Sequence, residues 1–226
     1  MNRFQNCFYT FCKSIDDSSG NGNSIAQNDA NLAAERSLSD QDQRHNFQTN
    51  LIYELPIGKN RMFFAGASNR LLNIISGWTF NGSWTLASGR PLTARYASSG
   101  GDSSATALYN SLRPDATGLP VSIPRGDRTV WLFFSTAAFA IPAETYGNAG
   151  RNTITGPGSS TVNFSIRKGF SLDENNRRLD FSWQVSNLFN HPNWANLSTT
   201  INSLNFGQVT SVRPMRTMTI NLRLRF

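Results

Sequence analysis

The sequence predicts an all-β fold of antiparallel, up-and-down strands, about six in number, that form the carboxy-terminal portion of a large, incomplete barrel. Three observations predict it. The last strand alternates apolar and polar residues, earlier segments of similar length do the same, and the connections alternate between long and short. A strand of roughly ten residues tilted near 40° spans about 25 Å, the height of a lipid-facing band, so the pattern is typical of outer-membrane β-barrels.

The first predicted strand runs from about Arg3 to Ser14 and has a mixed pattern. Successive strand side chains point to opposite sides, so Cys7, Tyr9 and Phe11 fall on one face and Phe8 falls on the other.

The next four predicted strands alternate cleanly. Their approximate bounds are His45 to Leu55, Gly77 to Ala87, Thr161 to Phe170 and Arg178 to Phe189. In each of them one face is largely apolar and the other carries Asn, Gln, Ser, Thr or charged residues. The residues on the apolar face include Phe47, Leu51, Tyr53, Trp78, Phe80, Trp84, Leu86, Val162, Phe164, Ile166, Leu179, Phe181, Trp183 and Val185.

The sixth predicted strand, Arg216 to Phe226, has the clearest alternation and ends on an aromatic residue. Its apolar face consists of Met218, Ile220, Leu222, Leu224 and Phe226. Its polar face consists of Thr217, Thr219, Asn221, Arg223 and Arg225.

The connections predict which end of the sheet lies outside the cell. Long, polar or Gly-rich and Pro-rich segments cover about 15–44, 88–160 and 191–215, whereas a tight turn is predicted at Asp173–Asn176. Segment 56–76 has no clear pattern. Barrels carry long extracellular loops and short periplasmic turns, so we expect every long loop outside. Within the longest loop, Trp131, Phe133, Phe134 and Phe139 predict a packed local cluster.

Composition excludes several classes of function. The formal net charge is +7, but the basic residues are spread over loops, turns and polar strand faces, so we expect no nucleic-acid partner.

The sequence has no apolar run of about eighteen residues, so it does not predict a transmembrane helix. Residues 4–12 are too short and polar for a secretion signal. We therefore expect an export signal upstream and interpret the chain as a fragment.

No pattern in the chain predicts catalysis, a metal or a cofactor. Cys7 and Cys12 lie five residues apart in a predicted strand, roughly 16 Å between α-carbons, so we expect two unpaired thiols. His45 and His191 are expected as polar residues at strand–loop boundaries. Gly147–Arg151 neither follows a predicted strand nor opens a helix, so a turn is the better interpretation.

Several segments resemble, in the same order, the end of a TonB-dependent receptor barrel of the Oar-like subgroup. They are NLAAERSLSDQDQRHNF (Asn31–Phe47), YELPIGKNR (Tyr53–Arg61), GWTFNGSWTLASGRPLT (Gly77–Thr93), YGNAGRNTITGPG (Tyr146–Gly158), SNLFNHPNW (Ser186–Trp194) and FGQVTS followed by the closing RLRF. The resemblance covers nearly the whole chain.

The resemblance implies a barrel of about twenty-two strands, plugged by an amino-terminal domain, with uptake energised by the TonB complex. The plug and a regulatory-like domain are expected outside this sequence, so the TonB complex would be a partner only through the missing plug. The terminal residues Met218 to Phe226 resemble the signal read by the β-barrel assembly machinery, with Phe226 as its anchor.

Outer-membrane lipid is the other expected partner. Indole rings favour the lipid–water interface, so we predict that Trp78, Phe80, Trp84, Phe181 and Trp183 face lipid or its boundary. Two alternatives stay open. One is a soluble β-sandwich that binds carbohydrate, in which a second protein layer covers the apolar face. The other is a receptor remnant without independent activity.

Overall fold

The structure is a computed structural model that describes residues 3–19, 26–58, 61–97, 112–143, 146–172 and 177–226. Six long strands form one antiparallel sheet in which each strand pairs with its neighbours in sequence. They are β1 (Arg3–Phe11), β2 (His45–Glu54), β3 (Thr79–Ala87), β4 (Ser159–Ser171), β5 (Arg178–Ser186) and β6 (Thr217–Arg225). The predicted all-β, up-and-down fold class is therefore confirmed. Within the described residues the sheet does not close, and β1 and β6 are its edges.

The strand ends differ from the predicted ones where local turn chemistry stops the pairing. β5 ends at Ser186 and not at Phe189, because Asn187 and Asn190 adopt left-handed backbone with φ of 51° and 54°. The Asn187 side chain closes this turn, donating to the carbonyl of His191 over 2.9 Å and accepting from its N–H over 3.0 Å. β3 begins two residues late because Gly77 has a φ of 74°.

The pairing register places the predicted apolar faces of all six strands on one side. Phe47 lies opposite Leu86, and Trp183 lies between Ile166 and Ile220. A slip of one residue at any pair would mix the two faces, because side chains alternate with a period of two. We call this side the apolar face and the opposite side the polar face.

The connections separate the two ends of the sheet. Residues 12–44, 88–158 and 187–216 link strands at one end, the loop end. At the other, the turn end, β2 and β3 are joined through a short helix α1 (Asn69–Ile75), capped by Ser68, and β4 and β5 by residues 172–177. The predicted turn Asp173–Asn176 lies outside the described residues. No helix in the described ranges has the length and hydropathy needed to cross a membrane.

The three long connections fold together into a loop assembly above the sheet. In the described parts of these connections the regular elements are three 3₁₀ helices and three two-residue ladders: Asp29–Glu35, Arg125–Asp127, Thr136–Ala138, Ile15–Asp16 with Ser37–Leu38, Pro91–Leu92 with Ile154–Thr155, and Asp115–Ala116 with Phe139–Ala140. Its apolar core includes Phe133, Phe134, Phe139 and Ile154, with Trp194 and Phe206 packed against it.

The predicted aromatic cluster is thus confirmed for Phe133, Phe134 and Phe139, and it was wrong for Trp131. The Trp131 side chain is 74% exposed. Leu132 after it is exposed as well, and only then do the buried Phe133 and Phe134 follow. An aromatic-rich run in an irregular loop carries no periodicity that would say which ring turns inward.

Candidate functional site

The apolar face is uncovered over much of its area. Exposure reaches 40% for Trp84, 65% for Ile220 and 66% for Leu222. Among the described residues no second sheet packs on this face, and the large buried apolar side chains lie mainly in the loop assembly. A sandwich would place a second layer there, so the exposed face argues against the soluble alternative.

The predicted aromatic residues form neighbouring contacts along this face. Phe164 touches Phe80 on one side and Trp183 on the other, with ring centroids 5.8 and 6.3 Å apart. Towards the turn end, Trp78 packs edge-on against Phe170 and Phe181, at 6.3 and 5.9 Å. Such neighbouring aromatic pairs, which are edge-to-face except for the tilted pair of Phe80 and Phe164, stabilise a sheet beyond their buried area.

The two outer indoles each have a polar partner near an end of the strands. Trp84 donates its Nε1–H to Ser160 Oγ over 3.1 Å and packs on Phe47 towards the loop end. Trp78 donates to the carbonyl of Ile74, in α1, over 3.1 Å. An apolar ring with one satisfied polar atom suits a lipid–water boundary.

The terminal strand places its predicted signal residues on the outer edge of the sheet. Met218, Ile220, Leu222 and Leu224 continue the apolar face, opposite Val185, Trp183, Phe181 and Leu179. Phe226 follows the last strand residue and is 93% exposed. One edge of β6 pairs with β5, and within the described chain its other edge is free for another strand.

Lys168 is an apolar-face residue that the sequence pattern did not single out. It lies opposite Phe181 and is 4% exposed. Its ammonium donates to the carbonyl of Ser76, the C-cap of α1, and lies 4.8 Å from the Phe170 ring centroid. A helix carboxy-terminus and an aromatic ring both stabilise a cation, so the lysine is accommodated on an otherwise apolar face. The sequence does contain a signal for this placement, because Lys168 stands two positions after Ile166 in the alternation of β4.

The polar face carries hydrogen-bonded side chains and an arginine-rich hollow. Asn163 and Asn81 bond Ser83 and Ser165 across strands, each over 3.3 Å. At the turn end a hollow of about 680 Å³ is lined mainly by polar-face residues of β3 to β6, among them Arg167, Arg178, Asp180, Arg223 and Arg225. Asp180 forms ion pairs with Arg178 and Arg225, both at 2.8 Å.

A buried ion pair ties the first long connection to the second. The guanidinium of Arg113 forms a two-pronged contact with the carboxylate of Glu35, whose side chain is 0% exposed. Gln27 braces the pair, because its backbone N–H donates to Glu35 Oε1 and its Oε1 accepts from the Arg113 N–H over 2.9 Å. Buried charges are tolerated only when they are paired and hydrogen-bonded in this way.

Arg151 links the same two connections at a second point. Its guanidinium contacts Asp16 Oδ1 at 2.5 Å, Ser19 Oγ at 3.0 Å and the carbonyl of Glu35 at 3.1 Å. The neighbouring Asn152 takes a left-handed turn with φ of 56° and donates to the carbonyl of Leu38 over 2.6 Å. The turn predicted over Gly147–Arg151 therefore occurs at the carboxy-terminal end of that segment. Arg151 has a structural role, because it holds the two connections together.

Asp16 responds to this environment. Burial alone would raise the pKa of its carboxyl, but hydrogen bonds from Ser39, Arg151 and Ser19 outweigh burial, and the pKa lies below its ordinary value. The carboxylate therefore stays ionised and paired over the neutral pH range.

The two histidines line one cleft at the loop end, on the apolar-face side. His45 begins β2 and its Nδ1 lies 2.8 Å from the hydroxyl of Tyr9, whereas His191 follows the turn after β5. Both are exposed, which agrees with the predicted boundary positions.

Cys7 and Cys12 are exposed free thiols, and Cys12 lies just beyond the end of β1.

An open antiparallel sheet with strands of membrane-spanning length, one uncovered apolar face and its long loops at one end defines an outer-membrane β-barrel segment. The model of the family described as outer membrane beta barrel domain matches residues 4–219, from β1 into β6. The chain therefore belongs to that family, and its location is the outer membrane. Neither the curated proteins nor the solved structures gave a match.

Proposed function

We propose that the chain forms barrel wall and extracellular loops of a TonB-dependent receptor similar to the Oar-like subgroup, and that it serves substrate uptake across the outer membrane. In this proposal the apolar face contacts lipid, the polar face lines the lumen, and β6 with Phe226 is read by the β-barrel assembly machinery. The TonB complex acts through a plug domain outside these residues. No enzymatic step and no nucleic acid enter the proposal.

The proposal depends mainly on one observation: two of the segments that resemble a TonB-dependent receptor barrel are hydrogen-bonded to each other. Segment Asn31–Phe47 supplies Glu35 and Leu38, and segment Tyr146–Gly158 supplies Arg151 and Asn152. These residues bond each other through buried groups, so the long loops hold one shape above the sheet. A receptor that selects a solute needs such ordered loops on a rigid scaffold, which supports a receptor role for this family member.

Two experiments test the proposal. The first is sequencing of the genomic region upstream of Met1. An in-frame plug domain supports the receptor, and an in-frame stop codon directly before Met1 supports the remnant. The second is performed in the source bacterium, where the chromosomal gene is deleted and the uptake of candidate solutes is compared with that of a strain lacking TonB.

We expect at least one solute, among saccharides, peptides and metal chelates, whose energised uptake is lost equally in both strains. The matched control is the deletion strain complemented with the intact gene. Uptake that depends on this gene but continues without TonB would contradict the TonB-dependent mechanism.

A further inference from the structure

A cleft of about 790 Å³ opens at the loop end of the apolar face. Its floor is the loop end of the sheet, where Tyr9, Phe47 and Leu86 lie on the apolar face. The loop assembly forms the facing wall, with Phe133 and Trp194, whose rings are in edge-to-face contact at 5.7 Å. The cleft is thus bounded by the strands on one side and by packed loops on the other.

The described lining of this cleft carries positive charge and no carboxylate. Arg125 and Arg128 both line it, and no Asp or Glu is among its lining residues in the described chain. Arg128 is held in place, because its Nε donates to the carbonyl of Ile123 over 3.2 Å and its guanidinium lies 4.9 Å from the Phe133 centroid. Neither arginine forms an ion pair with a described carboxylate, and Asp127 between them is exposed.

The positive charge of Arg125 acts on Arg128. Burial and the positive charge of Arg125 both lower the pKa of Arg128, which nevertheless remains a cation. Two like charges that line one cleft, with no carboxylate in its described lining, favour an anion that accepts from both. His45 and His191, also in the lining, add further nitrogen atoms for hydrogen bonding.

We propose that this cleft binds the phosphorylated headgroup of an outer-leaflet lipid, with Arg125 and Arg128 contacting phosphate and the apolar floor contacting the start of the acyl chains. The floor continues without a break down the apolar face, because Phe47 packs on Trp84, and Trp84 and Leu86 are 40% and 43% exposed. A soluble anion destined for transport would need a site on the polar, lumenal side. The inference rests on the proposed lipid contact of the apolar face.

Native mass spectrometry of the protein, extracted in detergent from outer membranes of the source bacterium, tests the proposal. The probes are a bisphosphorylated glucosamine lipid (lipid A), the same lipid without its phosphates, and inorganic phosphate. We expect retention of the phosphorylated lipid, and about tenfold weaker binding for Arg125→Gln, the equivalent of one lost charge-assisted hydrogen bond. Arg36→Gln is the matched control, since Arg36 is an exposed loop arginine that does not line the cleft.

Arg125→Gln decides the test, because Arg125 is exposed and the substitution should leave the fold intact, whereas Arg128→Gln also removes a contact with Phe133. Three results overturn the proposal: equal binding of the dephosphorylated lipid, full competition by inorganic phosphate at equal concentration, or unchanged binding in Arg125→Gln. The assay contains no TonB complex, so its failure leaves the uptake proposal standing, and failure of uptake leaves this site standing.

Discussion

Arg151 and Glu35 are in direct contact although 116 positions separate them in the chain: the Arg151 Nε–H donates to the Glu35 carbonyl over 3.1 Å. The same glutamate pairs its carboxylate with Arg113. Glu35 therefore connects two arginines of the second long connection to the first, through its backbone and its side chain. We expect the loop assembly to depend on this one residue more than on any surface ion pair of the described chain.

Glu35→Gln should destabilise the loop assembly by about 3 kcal/mol or more, because it leaves the Arg113 guanidinium buried without its counter-charge. Amide hydrogen exchange over residues 27–38 and 112–152 measures the effect, and the exchange of the sheet should change little. Asp127→Asn is the matched control, since Asp127 is exposed and has no ion pair with a described residue. Equal exchange in the two variants would mean that the ion pair is dispensable.

Acid should loosen the same assembly through Asp16. The pKa of this carboxyl is depressed in the folded protein, so its stabilising effect is fully present above the unfolded-state pKa of about 3.9 and is lost as the pH falls through the lower folded value. Protonation also leaves Arg151, 2% exposed, without its charged partner.

Amide protection factors, which correct for the slower intrinsic exchange in acid, should therefore fall below about pH 4 in the wild-type protein when exchange is measured between neutral pH and about pH 3. In Asp16→Asn the protection factors should be lower at neutral pH and should fall by less in acid. Asp17→Asn, one position away, serves as the control for general acid effects. An identical pH profile for wild type and Asp16→Asn would refute the assignment.

The faces and strand pairing were predictable from sequence because a strand's alternation is a local property. Phe47, Trp84 and Trp183 each stand in a clean period of two, and meander pairing between neighbours then brings them to one side. Strand ends were less predictable. Asn187 stops β5 by adopting a left-handed conformation and bonding His191, and the sequence pattern of apolar residues continues past it.

The loop assembly could not be predicted from the sequence, because its contacts join residues that are far apart in the chain and follow no periodic pattern. The partners Asp16 and Arg151 are 135 residues apart, and nothing local in either segment identifies the other. The same holds for the cleft, where Tyr9, Arg128 and Trp194 come from three different parts of the chain. Aromatic content predicted that a cluster exists, and only the packing decides that Trp131 stays outside it.

The orientation of the sheet is tested by two adjacent substitutions in β6. Ile220→Lys places a charge on the apolar face near mid-strand and should cost about 2–4 kcal/mol in a lipid bilayer. Asn221→Lys places the same charge on the polar face and should be tolerated, so it is the matched control. Denaturant unfolding in lipid vesicles measures both. Equal tolerance would mean that lipid does not contact the apolar face, and the proposed lipid headgroup site would fall with it.

The 226-residue chain alone should not form a stable monomer in water. The edges of β1 and β6 are unpaired within the described chain, and unpaired edges recruit strands from other molecules. Each apolar side chain left in water forfeits roughly 1.5–3 kcal/mol, and Ile220, Leu222 and Met218 are all more than half exposed. Sedimentation velocity should show aggregates in buffer and dispersed protein in detergent. The six strands of the described chain are too few to close into a lipid-spanning barrel, which needs about eight, so closure cannot cover the apolar face. A sharp, reversible melt of a detergent-free monomer would therefore show that the apolar face needs no lipid.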